Sequence, residues 1–237
     1  MQGIFIRNKK VAGMKVTGRS LLGLRLVICI SLLVPALVQA QDNAGNVLRV
    51  TGRATITSPD GQIRKIEKGA QLKSTDIIST GARSHVRMKL EDESYIMVRP
   101  DSRVSIDDFK FIRKNEEENR GFFSLLKGGF RVITGLIKDK KKYKYRTTVA
   151  TLGIRGTEFS VRVCSADCYD IDPVPKDGLF LEVHDMEVTI TTKAGVYTFT
   201  KGQFAYVADS DSPAILLDGI PDVFDQSPIP PANPADC

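Results

Sequence analysis

The chain has 237 residues, of which 42% are hydrophobic, 26% charged and 7% aromatic, with no Trp. This composition excludes collagen-like, low-complexity and wholly disordered chains. The formal net charge is +6, but six of the 34 basic residues and none of the 28 acidic residues lie in residues 1–40, so the remainder is formally neutral. A neutral remainder does not support general nucleic-acid binding, and we expect no nucleic-acid partner.

Residues 1–40 have the three parts of a secretory signal peptide. A basic region precedes an uncharged run of 13 residues at 26–38, and small residues stand at the end, in Val38-Gln39-Ala40. This pattern predicts export with cleavage after Ala40, into the periplasm or out of the cell. The run is shorter than the roughly 20 residues that span a bilayer. Arg25 could lengthen it by snorkelling, so contact with the membrane through an uncleaved signal sequence is the alternative.

After residue 41 the chain alternates apolar and polar residues between frequent turn signals. The stretches at 86–90, 158–163 and 196–200 are typical, and no stretch keeps a helical period for the dozen residues that a helix needs. The sequence therefore predicts an all-β fold.

Two segments of the chain resemble each other. Residues 54–61 (ATITSPDG) are similar to residues 188–195 (VTITTKAG), and each is followed by an alternating stretch and a Lys-Gly pair, Lys68-Gly69 or Lys201-Gly202. The repetition favours solenoid-like or folded-over antiparallel sheets. Two unrelated hairpins could share the same pattern, which is the alternative.

Charge divides the chain near residue 163. Residues 41–163 carry 25 basic and 15 acidic residues, and residues 164–237 carry 3 and 13. Opposite charge favours packing of one part on the other, so we assign 41–163 to a main β domain and 164–212 to a C-terminal β extension packed on it. Residues 213–237 contain six prolines, which predicts an extended, poorly ordered tail.

The cysteines of an exported protein lie in an oxidising compartment. Cys164 and Cys168 are four residues apart, which predicts a local disulfide that closes a turn. A zinc site would need two further ligands, and His85 and His184 do not stand at zinc-finger spacing. Cys237 is left over, either as a free thiol or for pairing between molecules.

Other metal and catalytic sites have little support. The acidic loop between Asp167 and Asp177 contains oxygen ligands for Ca²⁺, but its spacing is not that of an EF-hand, so a solvated loop is the preferred interpretation. A Ser-His-Asp triad would have to use His85 or His184, the only histidines, and neither stands near a nucleophile-elbow motif. We expect no catalytic residue, no metal and no cofactor.

A cluster of basic residues lies in the middle of the chain. Its lysines are Lys138, Lys140, Lys141, Lys142 and Lys144. At the tip of a hairpin they could contact an anionic polymer of the cell envelope. A solvated loop that protects a strand edge from aggregation is the preferred alternative.

The most informative string of the chain covers residues 153–159. Its glycines, Gly153 and Gly156, permit a positive φ or a close approach between strands at a corner that a β-branched residue could not form. Arg155 and Glu158 are near enough in sequence for a charge-assisted pair across that corner. We therefore identify a structural motif of Gly153, Arg155, Gly156, Thr157, Glu158 and Phe159.

Three further segments precede this motif, at residues 76–81, 92–94 and 125–128. Together with the motif, and in this order, they resemble the extracytoplasmic domain of the FecR family over about residues 45–163. The resemblance implies a β-rich domain outside the cytoplasm, with a surface that contacts a protein partner in the envelope. Residues 41–163 are accordingly the predicted FecR-like β domain.

The chain departs from the family pattern in two places. The family's Asp-Gly-Ser turn is Asp92-Glu93-Ser94 here, so we expect a turn that needs no positive φ. A full FecR regulator carries a cytoplasmic anti-sigma module before a membrane span, whereas only about twenty residues precede the apolar run here, too few to bury an independent core. The anti-sigma role is therefore not expected of this chain.

The leading hypothesis is an exported, non-enzymatic binding, scaffold or sensor module that recognises another envelope protein, through sheet edges or the motif at 153–159. One alternative is a binder of anionic envelope polysaccharide or surface polymer. Another is a transmembrane signalling regulator with an uncleaved N-terminal anchor. Hydrolytic activity is the least favoured, because histidines are so few.

Overall fold

The computed structural model describes residues 43–168 and 174–225. The predicted signal peptide, its cleavage site at Ala40 and the cysteine at Cys237 lie outside the described residues. Within them the secondary structure is seventeen β-strands, one 3-10 turn and one helical turn. That helical turn is far too short to cross a membrane, and the described residues hold no longer apolar helix that could.

The strands have the following bounds: β1 Asn43–Thr51, β2 Ala54–Thr57, β3 Ile63–Lys65, β4 Gln71–Lys73, β5 Ile77–Thr80, β6 His85–Leu90, β7 Tyr95–Val98, β8 Arg103–Lys110, β9 Arg120–Ile133, β10 Tyr143–Thr147, β11 Thr151–Ile154, β12 Glu158–Cys164, β13 Gly178–Asp185, β14 Glu187–Thr192, β15 Gly195–Thr200, β16 Phe204–Val207 and β17 Ile215–Leu217. The 3-10 turn, η1, covers Lys140–Lys142, and the helical turn, α1, covers Asp222–Asp225.

The strands form two sheets that share β9. In the front sheet the order of hydrogen-bonded neighbours is β4-β1-β6-β7-β9-β12-β13-β16-β17. In the back sheet the order is β3-β2-β5-β8-β9-β10-β11-β14-β15. The seventeen strands are therefore one hydrogen-bonded network, which folds over at β9 into two layers.

The fold-over occurs at Gly128 and Gly129. The first half of β9 pairs with β8 in the back sheet, and the second half pairs with β12 in the front sheet. Gly128 has φ +74°, and a Cβ there would lie 2.2 Å from Ser102 Oγ. A Cβ at Gly129 would lie 2.6 Å from Val161 O. Both positions therefore require glycine, because the neighbouring strands leave no space for a side chain.

The core lies between the two layers. The burial pattern of β6 alternates strictly, as expected for a strand with one face in the core. Tyr145 of the back sheet is fully buried and packs edge-on against Phe159 of the front sheet, with ring centroids 5.2 Å apart. Phe123 stacks on the same tyrosine at 5.2 Å. Each such ring stabilises the fold by about 1.5–3 kcal/mol through burial.

The predicted all-β, folded-over architecture is confirmed. One pair differs from the antiparallel expectation, since β10 runs parallel to β9. The connection at residues 134–142 crosses over instead of forming a hairpin, and Ile137 within it is buried. The β extension at 164–212 contributes Leu181 and Ile190 to the same core as the preceding strands.

The two similar segments of the sequence occupy equivalent places in the fold. The first contains β2 and the second contains β14, and both lie near ends of the back sheet. After each hairpin a glycine turns the chain into the front sheet. Gly69 N–H donates to Val47 O at 2.8 Å, and Gly202 N–H donates to Val183 O at 2.8 Å. The repeated sequence therefore corresponds to a repeated unit, β1–β4 and β13–β16.

The start of the proline-containing segment differs from the predicted extended tail. Residues 215–217 form β17, which pairs with β16, and α1 buries Val223 and Phe224. These apolar residues order the segment because the front sheet offers them an apolar surface. Residues 226–237 lie outside the described residues.

The expectation for the Asp92-Glu93-Ser94 turn is wrong. Glu93 has φ +67°, the conformation that the family's glycine would adopt without strain. The turn is held by Asp92, whose buried carboxylate accepts hydrogen bonds from the Ser94 N–H at 3.0 Å and from the Tyr143 hydroxyl. Contacts within and beyond the turn therefore impose a left-handed backbone on a residue that disfavours it.

We predict that Glu93→Gly keeps or raises stability, by up to about 1 kcal/mol, because it relieves the left-handed strain. Glu93→Val should destabilise by about 1–2 kcal/mol, because β-branched residues tolerate this conformation worst. Both changes remove the exposed Glu93–Arg113 ion pair, which contributes little. Urea unfolding of the two variants measures the difference, and equal midpoints would contradict the assigned backbone.

Candidate functional site

The motif at 153–159 forms the corner between β11 and β12. Gly156 has φ +66°, as the motif predicts. Gly153 lies within β11 without a positive φ, and a Cβ there would come no nearer than 3.9 Å to any neighbour. Only the second glycine of the motif is therefore required by the backbone.

The predicted pair between Arg155 and Glu158 is wrong. Arg155 Nη1 lies 3.2 Å from Glu187 Oε1, and Glu158 Oε1 accepts from Arg131 Nε at 2.8 Å. Arg155 belongs to the turn beside β14, whereas Glu158 begins β12 beside β9. The partner of each charge is therefore set by strand pairing and not by nearness in sequence.

The last residues of the motif join strands. Thr157 is buried, and its hydroxyl donates to Asp185 O while its carbonyl accepts from Thr134 N at 3.2 Å. Phe159 is fully buried in the core. The corner therefore fixes β12 between β9 and β13, and most of the motif is used for that purpose.

Four lysines of the basic cluster contact this chain. The contacts are Lys138 with the Glu116 carboxylate, Lys140 Nζ with Gly135 O at 2.7 Å, Lys142 Nζ with Glu116 O and Glu117 O at 2.7 Å each, and Lys144 Nζ over the Phe122 ring at 5.7 Å. The cluster lies on η1 and the start of β10, not at the predicted hairpin tip. Lys141 is exposed and has no side-chain partner within residues 43–168 and 174–225. Lys138 and Lys142 thus hold the acidic loop at Glu116 and Glu117 of the same chain.

Cys164 and Cys168 form a disulfide in the structure. Both cysteines are buried in a small apolar cluster with Phe180, Val223 and Phe224, separate from the main core. The disulfide-closed turn therefore packs against α1.

The acidic loop after the disulfide uses its described carboxylates internally. Asp167 Oδ1 accepts from Ser165 N at 2.8 Å, and Asp177 Oδ1 accepts from Ala166 N at 2.6 Å. Asp170 and Asp172 lie outside the described residues. Within the part of the chain that the structure describes, no group of His, Cys, Asp or Glu side chains is arranged to hold a metal ion.

Helix α1 lies on the outer face of the front sheet, where two arginines bind its backbone. Arg99 Nη1 and Nη2 donate to Val223 O at 3.5 Å and to Phe224 O at 3.3 Å. Arg162 Nη1 donates to Val223 O at 3.4 Å. Arg99 is only 5% exposed, so these carbonyls help to solvate a buried charge.

Beside α1, three side chains of the front sheet form a chain of contacts. Ser160 Oγ lies 2.8 Å from His184 Nε2, and His184 Nδ1 lies 3.5 Å from Glu182 Oε1. Ser160 pairs directly with Glu182 across β12 and β13, and His184 follows two residues later on the same face. In the sequence, the alternation Glu182-x-His184 indicates that these two side chains share a face, but only the pairing of β12 with β13 brings Ser160 to them.

Burial sets the protonation of this group. It lowers the pKa of His184 to about 4, with help from the charges of Arg131 and Arg99. Burial also raises the pKa of Glu182, against the opposing charges of the same arginines. His184 is therefore neutral at pH 7 and can accept a hydrogen bond from Ser160.

This grouping resembles a catalytic triad in its contacts but not in its access. Ser160 is only 3% exposed. The structure has a polar cleft of about 570 Å³ near β3 and an apolar groove of about 590 Å³ near β17, and Ser160 lines neither. His85 stands apart on β6, with a pKa lowered by burial and by Arg99.

The apolar groove lies at the β17 edge of the front sheet. It is bounded by β17, α1 and residues 174–176, and its apolar lining includes Val174, Phe180, Tyr206, Ile215, Ile220 and Val223. Val174, Ile215 and Ile220 are 59%, 49% and 62% exposed. Strand β17 pairs with β16 on one side and has no neighbour on the other among the described strands.

The groove combines two features that are common in peptide-binding surfaces. Exposed apolar side chains at this density mark interaction surfaces, and an open strand edge can accept a further strand. The groove residues from 215 onward belong to the predicted extended tail, although three consecutive apolar residues at 215–217 are a signal of a strand.

Comparison with known proteins finds a family match in part of the chain. Residues 76–169 match the family model described as "FecR protein". These residues run from the end of the β4–β5 connection to the disulfide turn. The chain matches no curated protein.

Two solved structures of a "putative anti-sigma factor" from Parabacteroides distasonis, at 1.65 and 2.50 Å resolution, have a TM-score of 0.46 and 13% identity with this chain. Each match covers 60% of this chain and 59% of that chain, so this chain spans less than two thirds of their length. A "Cell surface anchoring domain" has a TM-score of 0.27 and 23% identity, over 27% of this chain and 84% of that chain.

We predict that Gly156→Ala destabilises by about 1 kcal/mol, and Gly156→Val by more, because side chains disfavour a positive φ. Gly153→Ala is the matched control and should change stability by less than about 0.5 kcal/mol, since the added methyl group meets only ordinary contacts. Chemical denaturation compares the variants. An equal loss of stability at both positions would contradict the conclusion that the backbone requires glycine only at Gly156.

We also predict that acidification destabilises the fold through His184. Its pKa in the folded chain, about 4, lies below its ordinary value of 6.5, so the unfolded chain binds more protons between these values. The stabilisation is complete above the ordinary pKa and is lost as the pH falls toward 4, by about 1–2 kcal/mol after allowance for solvent at the partly exposed ring. Thermal unfolding across this range measures the loss.

The control for this prediction is His184→Gln, which should lose less stability over the same range. Glu182 has the opposite effect on stability, because its raised pKa stabilises the fold as the pH falls. Glu182 and His85 are present in both proteins. The difference between the two proteins therefore isolates His184. Identical pH dependence would rule out the assigned protonation.

Proposed function

Because the chain contains a FecR domain, at residues 76–169, we propose that it is an exported, non-enzymatic module of the cell envelope that binds another protein. The observation that carries the proposal is the exposed apolar groove beside the open edge of β17. Residues 1–40 support export, because they have the parts of a signal peptide. The binding role is that of a scaffold or sensor whose partner lies on a separate chain.

The groove favours a protein partner because its chemistry matches a peptide. Ile215, Ile220 and Val174 offer apolar contacts, and β17 offers main-chain donors and acceptors along one edge. Main-chain bonds supply affinity in strand addition, and side-chain pockets supply specificity.

The alternatives draw less support from the geometry. Binding of an anionic polymer would need free lysines, and four of the five lysines at 138–144 contact this chain. Hydrolysis would need an accessible nucleophile, and Ser160 is covered. A non-enzymatic, protein-binding role uses the surface that is open.

The test is site-specific photo-crosslinking in intact cells. A photo-reactive amino acid at Ile215 should form an adduct with an envelope protein, and the same amino acid at Val196, which is 67% exposed on the edge strand β15, should not. Adding Ile220→Asp should reduce the adduct at least tenfold at unchanged stability, because Ile220 is 62% exposed and lines the groove.

Salt separates the proposal from the polymer alternative. The adduct from Ile215 should persist at high salt, because apolar contacts are not screened. Equal adducts from Ile215 and Val196 would contradict the proposal. Retention on an anionic polymer that is lost in Lys141→Gln and at high salt would favour the alternative.

A further inference from the structure

We propose that the place occupied by residues 221–225, which we call the strap, is a peptide-binding site that a partner protein enters by displacing the strap. This inference rests on the proposed function, since it names the kind of segment that the protein partner presents. The segment has two consecutive apolar side chains with accessible main-chain carbonyls. The strap itself shows this chemistry, because it is seated on the site in the structure.

The arginines of the site bind main-chain atoms. Arg99 donates to Val223 O and Phe224 O, at 3.5 and 3.3 Å, and Arg162 donates to Val223 O at 3.4 Å. Guanidinium groups carry several donors in a fixed plane. Since every peptide segment has carbonyls, these contacts would accept a foreign segment as readily as the strap.

Two pockets add selectivity for apolar side chains. Val223 and Phe224 are 1% and 6% exposed and pack in the cluster of Cys164, Cys168 and Phe180. The guanidinium of Arg99 lies over the Phe224 ring, 5.5 Å from its centroid, a cation–π contact. The site therefore selects a bulky apolar pair of which the second member is best aromatic.

The strap is held weakly by its own structure. Its helix has four residues, too few to be stable in isolation. Residues 218–220 before it are exposed, and a Cβ at Gly219 would meet no atom within 4 Å. The strap can therefore swing on this connection without disturbing the sheets. Because the strap is tethered beside the site, a partner segment must bind more tightly than an untethered strap peptide would in order to displace it.

The site is continuous with the apolar groove. Pro221, Asp222 and Val223 line the groove together with Ile215 of β17. A partner segment that takes the place of the strap would extend along the open edge of β17. The strap therefore covers one end of the proposed binding surface, and its release is coupled to partner binding.

The test uses a synthetic peptide with the sequence of residues 219–225, GIPDVFD, carrying a fluorescent label. Binding to the full chain is measured by fluorescence anisotropy. The double variant Val223→Ser with Phe224→Ser, which empties the two pockets, should bind the peptide at least tenfold more tightly than the wild-type chain does. A control peptide, GIPDSSD, should not bind either protein.

Adding Arg162→Gln to the double variant should weaken peptide binding at least fivefold, because one carbonyl contact is lost. Thermal unfolding checks that each variant is folded. A separate measurement needs no variant: in the wild-type chain, backbone amides at 219–225 should exchange hydrogen faster than those of β12, and excess peptide should accelerate them further.

The outcomes separate the two proposals. The strap site is overturned if the folded double variant does not bind the peptide and the strap amides exchange as slowly as those of β12. A wild-type dimer that the double variant cannot form would show that a second copy occupies the site, and it overturns the assignment to a partner protein. Peptide binding without any adduct from Ile215 in cells would leave the strap site standing and overturn the proposed function.

Discussion

The bend of β9 at Gly128 and Gly129 is the constraint on which the rest of the structure depends. Neighbouring strands come so close that a side chain at either position would overlap Ser102 or Val161 O. Because glycine at both positions lets the chain pass between these neighbours, β9 belongs to both sheets. The aromatic side chains of its two halves pack in a common core. The outer face of the front sheet is then left for polar and charged residues and for α1.

The proposed binding surface lies on the outer face of the front sheet. Arg99 and Arg162 lie in a row beside Ser160, Glu182 and His184, and the buried Arg99 is solvated in part by carbonyls of α1. A buried cation needs acceptors, and the carbonyls of α1 supply some of them. The disulfide Cys164–Cys168 packs against Val223 and Phe224 of α1 at the same place.

The sequence predicted the features that depend on local pattern. Period-two alternation gave the all-β class, and Gly156 marked a corner with a positive φ. Features set by distant partners were not predictable. Arg155 is paired by β14 and not by Glu158, and Glu93 is held at a positive φ by Asp92 and Tyr143. Likewise, the apolar residues 215–217 lie in a proline-containing segment of the sequence, and only their pairing with β16 makes them a strand.

Hydrogen–deuterium exchange of the chain, in buffer and in an extract of envelope proteins, tests the central claim most directly, because it compares all candidate surfaces at once. The account predicts that amides of β17 at 215–217 become protected in the extract and that those of the strap at 221–225 exchange faster, whereas those of the lysine turn at 138–144 and the corner at 153–159 stay unchanged. Protection confined to the lysine turn or to the corner, with 215–217 and 221–225 unaffected, would contradict the account.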